Sequence, residues 1–361
     1  MKLIRVLVVD DSIFMRNIIS DMLGEEKDIE VVGAARNGKQ AIELNEKLKP
    51  DVITLDIEMP IMNGLEALKK IMAKNPTRVI MLSSLTEEGA KETLEALENG
   101  AYDFLQKPSG QISLDIRILK EELIEKIRDS KKANIKLLKK QSTKKVKINL
   151  HKFVKNKINK NTEQTKKYKG DTERIVVIGI STGGPNALQR IIPNIPQNIN
   201  AGLLIVQHMP PKFTKSLADR LDTLSNINVR EARDGDEIEN GLALIAPGNY
   251  HMIVKKQGNK KIVKLNQDPP YTGHRPSANI TFKSVSEVYK EKTIGVIMTG
   301  MGGDGAEYLK EIKNQGGETI GQSERTCVIY GMPRVAYEMG GVNHVVDLEE
   351  IPNKIMELLK S

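Results

Sequence analysis

Ile4-Arg5-Val6-Leu7-Val8-Val9-Asp10-Asp11 is a nearly unbroken apolar run that stops on two adjacent carboxylates. Six residues rich in valine and isoleucine suit a strand buried on both faces, and are too few for a helix. The pattern repeats downstream. Val52-Ile53-Thr54-Leu55 runs into Asp56, Val79-Ile80-Met81-Leu82 runs into Ser83-Ser84, and Tyr102-Asp103-Phe104-Leu105 leads to Lys107-Pro108. Another strand reads over 29–35. Residues 12–23, 39–48, 64–73, 87–99 and 112–127 carry helical spacing between these runs. The alternation predicts an α/β domain over 1–127, a doubly wound five-stranded parallel sheet with right-handed crossovers.

In such a sheet, reactive groups collect at the carboxyl ends of the strands. Asp10, Asp11, Asp56, Ser83 and Lys107 all follow strand runs, so they are expected at one edge. Three carboxylates held together repel one another unless a cation sits among them. A hard dication with oxygen ligands, Mg²⁺, fits the trio. The metal and the Lys107 ammonium would neutralise charge on a transferred phosphoryl group, with Asp56 as its nucleophile and Ser83 as a hydrogen-bond donor to it.

The α/β pattern restarts at residue 173. Strands read over 174–180, 203–207 and 294–299, with a short last one from Val345-Val346. Residues 241–246 and 261–265 are expected to form an antiparallel hairpin around the Gln257-Gly258-Asn259 turn. The expected whole is an α/β, mostly parallel sheet domain over 173–361. Its first strand run leads into Gly179-Ile180-Ser181-Thr182-Gly183-Gly184-Pro185, a strand–turn–helix bend that would expose the Ser181 hydroxyl. Free amides at the helix start favour a developing oxyanion, and they could equally cradle a phosphate. A serine nucleophile needs a base and the base an orienting carboxylate. Of five histidines, His208 follows the strand run 203–207 and precedes Met209-Pro210-Pro211. His151 falls in a lysine-rich stretch. His251, His274 and His344 read as structural, with His274 in a polar loop that can line the site. Asp304 lies in Gly300-Met301-Gly302-Gly303-Asp304-Gly305, after the strand run 294–299. The order Ser, His, Asp differs from that of α/β-hydrolases and implies a separate fold carrying the triad.

Between the two halves, residues 128–172 read as a linker, in which Ile135 to Leu138 could extend the preceding helix and the rest is flexible. Residues 131–170 hold 15 Lys, one acid (Glu163) and no Arg, a charge of +14. Against a net charge of +8, the remainder of the chain carries −6. The basicity is therefore a property of the linker, which argues against nucleic acid as a partner. No apolar run approaches the roughly 20 residues of a membrane span, and residues 1–10 lack a signal-peptide pattern. Cys327 is the only cysteine, so an intrachain disulfide is excluded. A cytoplasmic monomer without membrane insertion is expected.

The first 125 residues resemble the response-regulator receiver family through Asp10-Asp11, Asp56-x-x-Met59-Pro60-x-x-Asn63-Gly64, Ser83 and Lys107-Pro108. The resemblance implies that a chemotaxis histidine kinase phosphorylates Asp56, that the Glu58 carbonyl is a further Mg²⁺ ligand, and that Phe104 is the switch aromatic. Residues 174–357 resemble the catalytic domain of the chemotaxis protein-glutamate methylesterases. The shared segments are the Gly179–Pro185 string, His208-Met209-Pro210-Pro211-Lys212-Phe213-Thr214, Ala246-Pro247-Gly248-Asn249-Tyr250-His251-Met252, His274-Arg275-Pro276-Ser277, Thr299 to Gly305 and Tyr330-Gly331-Met332-Pro333. This resemblance implies hydrolysis of glutamate methyl esters on chemoreceptor cytoplasmic helices, with methanol released. Receptor glutamines could be deamidated at the same site. Ser181 would be the nucleophile, His208 the base and Asp304 its orienter. Thr182 and Met301 would line the oxyanion site, and no cofactor is expected in this domain. The rival readings are a non-catalytic response regulator with a binding domain, and an esterase for small esters.

Overall fold

The computed structural model describes residues 3–107, 112–143 and 172–360. The chain divides into two compact units, 1–145 and 146–361. In the first, the strands are β1 (Ile4–Val9), β2 (Ile29–Ala35), β3 (Val52–Asp56), β4 (Arg78–Ser83) and β5 (Asp103–Gln106). The helices are α1 (Ile13–Gly24), α2 (Gly38–Leu48), α3 (Gly64–Lys74), α4 (Glu87–Glu98), α5 (Ile112–Ser130) and α6 (Ile135–Thr143). The sheet runs β2-β1-β3-β4-β5, and every pairing is parallel. β3 is buried along its whole length, as a strand covered by helices on both faces must be. Helix starts follow side-chain capping: Ser12, Asn37, Asn63 and Thr86 each accept a backbone N–H from the first turn of α1 to α4.

In the second unit the strands are β6 (Ile175–Ile180), β7 (Gly202–Gln207), β8 (Asn228–Glu231), β9 (Leu242–Ile245), β10 (His251–Gln257), β11 (Lys260–Asn266), β12 (Thr293–Ile297), β13 (Glu318–Gln322) and β14 (His344–Val346). The α-helices are α7 (Gly184–Ile191), α8 (Phe213–Leu224), α9 (Ala278–Tyr289), α10 (Ala306–Asn314), α11 (Met332–Glu338) and α12 (Ile351–Leu358). Seven parallel strands run β14-β13-β12-β6-β7-β9-β8, and β10 with β11 forms a separate antiparallel ribbon. The chain progresses from β6 toward β7 in one direction and later from β12 toward β14 in the other. The strand order therefore switches beside β6, the place where open α/β sheets keep their ligand crevice.

One expectation is corrected. Residues 241–246 are not half of the hairpin. Leu242–Ile245 pairs parallel with β7 and β8, and the true partner of β11 is His251–Gln257. Leu242-Ala243-Leu244-Ile245 is apolar throughout and largely buried, the mark of a central parallel strand rather than of a half-exposed hairpin. The start of the stretch between the two halves is helical, as the spacing over 135–138 allowed. α5 continues to Ser130 and α6 follows, packing on α3 with Ala133 and Leu138 buried. The Arg78 guanidinium donates to the Ala133 carbonyl at 3.3 Å. The rest of the lysine-rich stretch, 144–171 with His151, lies outside the described residues, as does Pro108. Among the described residues no helix is long and apolar enough to cross a membrane.

Leu138 is 1% exposed. Leu138→Ala should therefore lower the stability of the first unit by roughly 2–3 kcal/mol, read from its urea midpoint. An unchanged midpoint would show that α6 belongs to the linker after all.

Candidate active site

β6, β7 and β12 are adjacent, and their carboxyl ends carry Ser181, His208 and the loop to Asp304. The Ser181 amide donates to the Thr299 carbonyl at 3.0 Å, and the His208 amide donates to the Ile180 carbonyl at 3.3 Å. A methyl group built on Gly300 would lie 2.8 Å from the Ser181 Cβ, so the loop from β12 must pass the serine as glycine. The serine is partly exposed. The buried Thr299 hydroxyl lies 3.0 Å from the Thr182 carbonyl and 3.2 Å from the Ile329 carbonyl, with one proton to donate between them. The Thr299 amide donates to the Gln322 carboxamide oxygen at 2.8 Å.

His208 Nε2 and Asp304 Oδ2 are 2.8 Å apart. Asp304 is 3% exposed and accepts three further hydrogen bonds. Its Oδ1 takes the Ser277 hydroxyl at 2.7 Å and the Asn279 amide at 3.1 Å, and its Oδ2 takes the Ala278 amide at 2.6 Å. The two amides belong to the start of α9, where the helix dipole also favours an anion. Burial alone would push this carboxyl up. The bonds from His208 and Ser277 and the α9 amide outweigh it and hold the group at about 2. A carboxylate this firmly ionised accepts from Nε2–H, which leaves Nδ1 as the basic nitrogen. Nδ1 is buried with no hydrogen-bond partner. The His274 ring stacks on His208, centroids 4.0 Å apart and 12° from parallel, which fixes the plane of the His208 imidazole. The other two described histidines are engaged elsewhere: His251 Nε2 meets the Pro269 carbonyl at 3.2 Å, and His344 Nε2 meets Glu318 at 2.9 Å. Thr182 is buried beside the serine, and Met301 is partly exposed in the β12 loop.

Sequence reasoning overlooked Ser277, Thr299 and Gln322 as supports of this site. A capping signal was present for Ser277, a hydroxyl residue just ahead of an apolar helix. Nothing in a linear pattern points Thr299 or Gln322 at the serine turn.

In the first unit, Lys107 Nζ lies 2.8 Å from both Asp10 Oδ2 and Asp56 Oδ1. Carboxylate oxygens of Asp10, Asp11 and Asp56 lie within 4.8 Å of one another, an oxygen donor set that suits a hard dication. A cleft of about 360 Å³ opens beside Asp56, lined by Asp11, Glu58, Met59, Ser83, Glu92 and Lys107 among others. Burial pushes the Asp56 carboxyl up to about 6, against the opposing pull of Lys107, and Asp10 and Asp11 add to the rise. Ser83 borders the cleft, but its hydroxyl donates to the Gly89 carbonyl at 3.1 Å and accepts from Thr93 at 2.8 Å, both on α4. Serving a phosphoryl group on Asp56 would require it to exchange that acceptor. Phe104 is buried, with Lys126 Nζ 6.0 Å from its ring centroid.

Residues 176–355 match the family model described as CheB methylesterase, and residues 6–119 match that of the response regulator receiver domain. The chain is 47% identical to the protein-glutamate methylesterase/protein-glutamine glutaminase of Pyrococcus abyssi (strain GE5 / Orsay), over 99% of this chain and 94% of that protein. It is also 47% identical to the protein of the same name from Thermotoga maritima, over 99% of each. The crystal structure of the Thermotoga maritima CheB methylesterase catalytic domain aligns with a TM-score of 0.51 at 46% identity, covering 51% of this chain and 98% of that one.

Two outcomes follow from these charges. A raised Asp56 pKa means that folding disfavours its ionised form. Stability is lost as pH rises from about 4 to about 6 and stays lost above that. Asp56→Asn should thus stabilise the first unit at pH 7.5 by up to about 3 kcal/mol, a gap that millimolar Mg²⁺ narrows. Equal calorimetric midpoints for the two proteins would contradict it. Asp304→Asn keeps the shape of the orienting group but donates where it should accept. It should lower kcat for ester hydrolysis by roughly 10⁴, and a loss below about tenfold would mean that His208 is oriented otherwise.

Proposed function

The chain belongs to the CheB methylesterase family, and from that membership we propose a Ser181–His208–Asp304 hydrolase that removes methyl esters from chemoreceptor glutamates under control of phosphorylation at Asp56. The observation that carries this reading is the His208–Asp304 pair. It holds a buried, unpartnered Nδ1 on the residue whose backbone bonds the one before Ser181.

Ser181 Oγ attacks the ester carbonyl carbon while its proton passes to His208 Nδ1. Asp304 stabilises the imidazolium through Nε2–H. Backbone amides at Thr182 and Met301 would hold the oxyanion. The tetrahedral adduct collapses, His208 returns the proton to the leaving methoxide, and methanol departs. Water, deprotonated by the same nitrogen, then splits the acyl-enzyme to free glutamate and Ser181. A glutamine side chain presents the same carbonyl, and the same steps release ammonia. The relatives' names carry both activities.

In the receiver, residues 1–127, the Asp56 carboxylate takes the phosphoryl group from a chemotaxis histidine kinase. Asp10, Asp11, Asp56 and the Glu58 carbonyl would hold Mg²⁺, which supplies charge neutralisation for the transfer. Lys107 binds the phosphoryl oxygens. Ser83 leaves the Gly89 carbonyl for the phosphoryl group, which loosens its tie to α4, and Phe104 repacks behind it. The catalytic domain, 173–361, responds with a faster rate. The protein acts in the cytoplasm as a monomer, where receptor signalling helices and kinase are found, and it takes no nucleic acid.

Methanol release from methylated receptor membranes tests this reading. Ser181→Ala should abolish it, a loss of about 10⁴-fold or more. Mg²⁺ with a small phosphodonor should raise the rate of the wild-type chain and leave Asp56→Asn unchanged. Near-normal release by a folded Ser181→Ala protein would sink the nucleophile assignment. A phosphodonor effect that survives in Asp56→Asn would sink the control assignment.

A further inference from the structure

Gln207 ends β7 immediately before His208 and is 2% exposed. Nε2 donates to the carbonyls of Ser181 and His208, both at 3.2 Å. The opposite orientation of the amide would set Oε1 against two carbonyl oxygens, so the donors decide which way it faces. Oε1 is buried with no hydrogen-bond partner. A methyl group built on Gly184 would come within 2.0 Å of it, so the helix start is glycine where the carboxamide presses on it. Leaving a buried amide oxygen unpaired is costly, and a position that only needed filling would be better served by leucine or methionine.

The Ser181 carbonyl also accepts the Gly184 amide at 2.7 Å. Two donors therefore hold that carbonyl on the side of Gln207. In a trans peptide the C=O of one residue and the N–H of the next point in opposite directions. Anchoring the Ser181 carbonyl thus aims the Thr182 N–H the other way, out of the turn. We infer that Gln207 is a positioning residue of the hydrolase. Its carboxamide ties the nucleophile's peptide to the base's peptide and fixes the direction of the Thr182 amide that receives the oxyanion. The inference rests on the Ser181 hydrolase reading and deepens it. Gln207 itself touches no reacting atom, so its removal should act on kcat and leave KM nearly alone.

The test uses the full chain, activated with Mg²⁺ and a small phosphodonor, on methylated receptor membranes. Gln207→Leu keeps the volume and removes both donors. The expected result is a kcat lower by about 10- to 100-fold with KM changed less than about twofold, milder than the loss of a whole oxyanion donor. Gln207→Glu gives a readout that a merely structural role would not move. Protonated, it offers one O–H donor; ionised, it offers none and places negative charge by the oxyanion. Its activity relative to wild type should fall as pH rises. Gly184→Ala displaces the carboxamide from the other side, so its effect should not add to that of Gln207→Leu. Wild-type kcat in Gln207→Leu, or a wild-type pH profile in Gln207→Glu, would overturn the inference. If Gln207→Leu does not fold, the Gln207→Glu profile and Gly184→Ala kcat decide it. Ser181→Ala in the same assay separates the two levels. An inactive Ser181→Ala with a fully active Gln207→Leu removes only the positioning role, whereas an active Ser181→Ala removes the hydrolase reading beneath it.

Discussion

The carboxylate of Asp304 is a negative charge taken almost wholly out of water, and the second unit is arranged around the need to satisfy it. An isolated buried carboxylate would take up a proton instead. Here four donors prevent that: His208 Nε2, the Ser277 hydroxyl, and the Ala278 and Asn279 amides. Those donors come from β7's end and from the first turn of α9. The charge therefore fixes where α9 begins, how the β12 loop must fold back, and which nitrogen of His208 is left basic. The proposed nucleophile, Ser181, is placed by the same frame. Its own amide bonds Thr299 near the end of β12, and the residue before it bonds His208.

The two sites treat their carboxylates in opposite ways. Asp304 is held far into the ionised range by donors that do not change. Asp56 is pushed up to about 6 by burial and by its acidic neighbours, with Lys107 as its cationic partner. One is a fixed charge that, in the proposed triad, orients the base. The other is a charge under tension that a dication, or the proposed phosphorylation, would relieve. A chain that must hold an esterase ready while a signal decides its rate has a use for both. The Ser83 hydroxyl, shared with Gly89 and Thr93, is the group through which, in the proposed switch, a new charge at Asp56 would reach α4.

Much of this was legible in the sequence because strand ends in a parallel sheet carry function. Several apolar runs stopped at residues that the structure places at strand ends, so Asp56, Ser181 and His208 stood out as candidates without any tertiary knowledge. The antiparallel ribbon was misassigned because Leu242–Ile245 and His251–Gln257 are both short apolar-leaning segments near one turn. Only the helices covering both faces of the main sheet decide which of them is buried in it. The helix over 135–138 was only faintly legible, because Lys131, Lys132, Lys136 and Lys139 mask a short segment whose Ala133 and Leu138 have a partner only in three dimensions. Gln207, Thr299 and Gln322 were silent for a related reason. An amide or hydroxyl in a strand reads as ordinary until the carbonyl that it bonds arrives from another part of the chain.

The direct check on this arrangement is the protonation of the His208 ring, which two-dimensional ¹⁵N correlation spectra of the imidazole report at each nitrogen. In the full chain, the expected signal of the neutral His208 ring has a protonated Nε2, shielded from exchange by Asp304, and an unprotonated Nδ1 with the shift of a free acceptor. Asp304→Asn should abolish that pattern. A His208 ring protonated at Nδ1 and bare at Nε2 in the wild-type protein would contradict it. The proposed base would then face away from its carboxylate, and the proton path from Ser181 through Nδ1 would be closed.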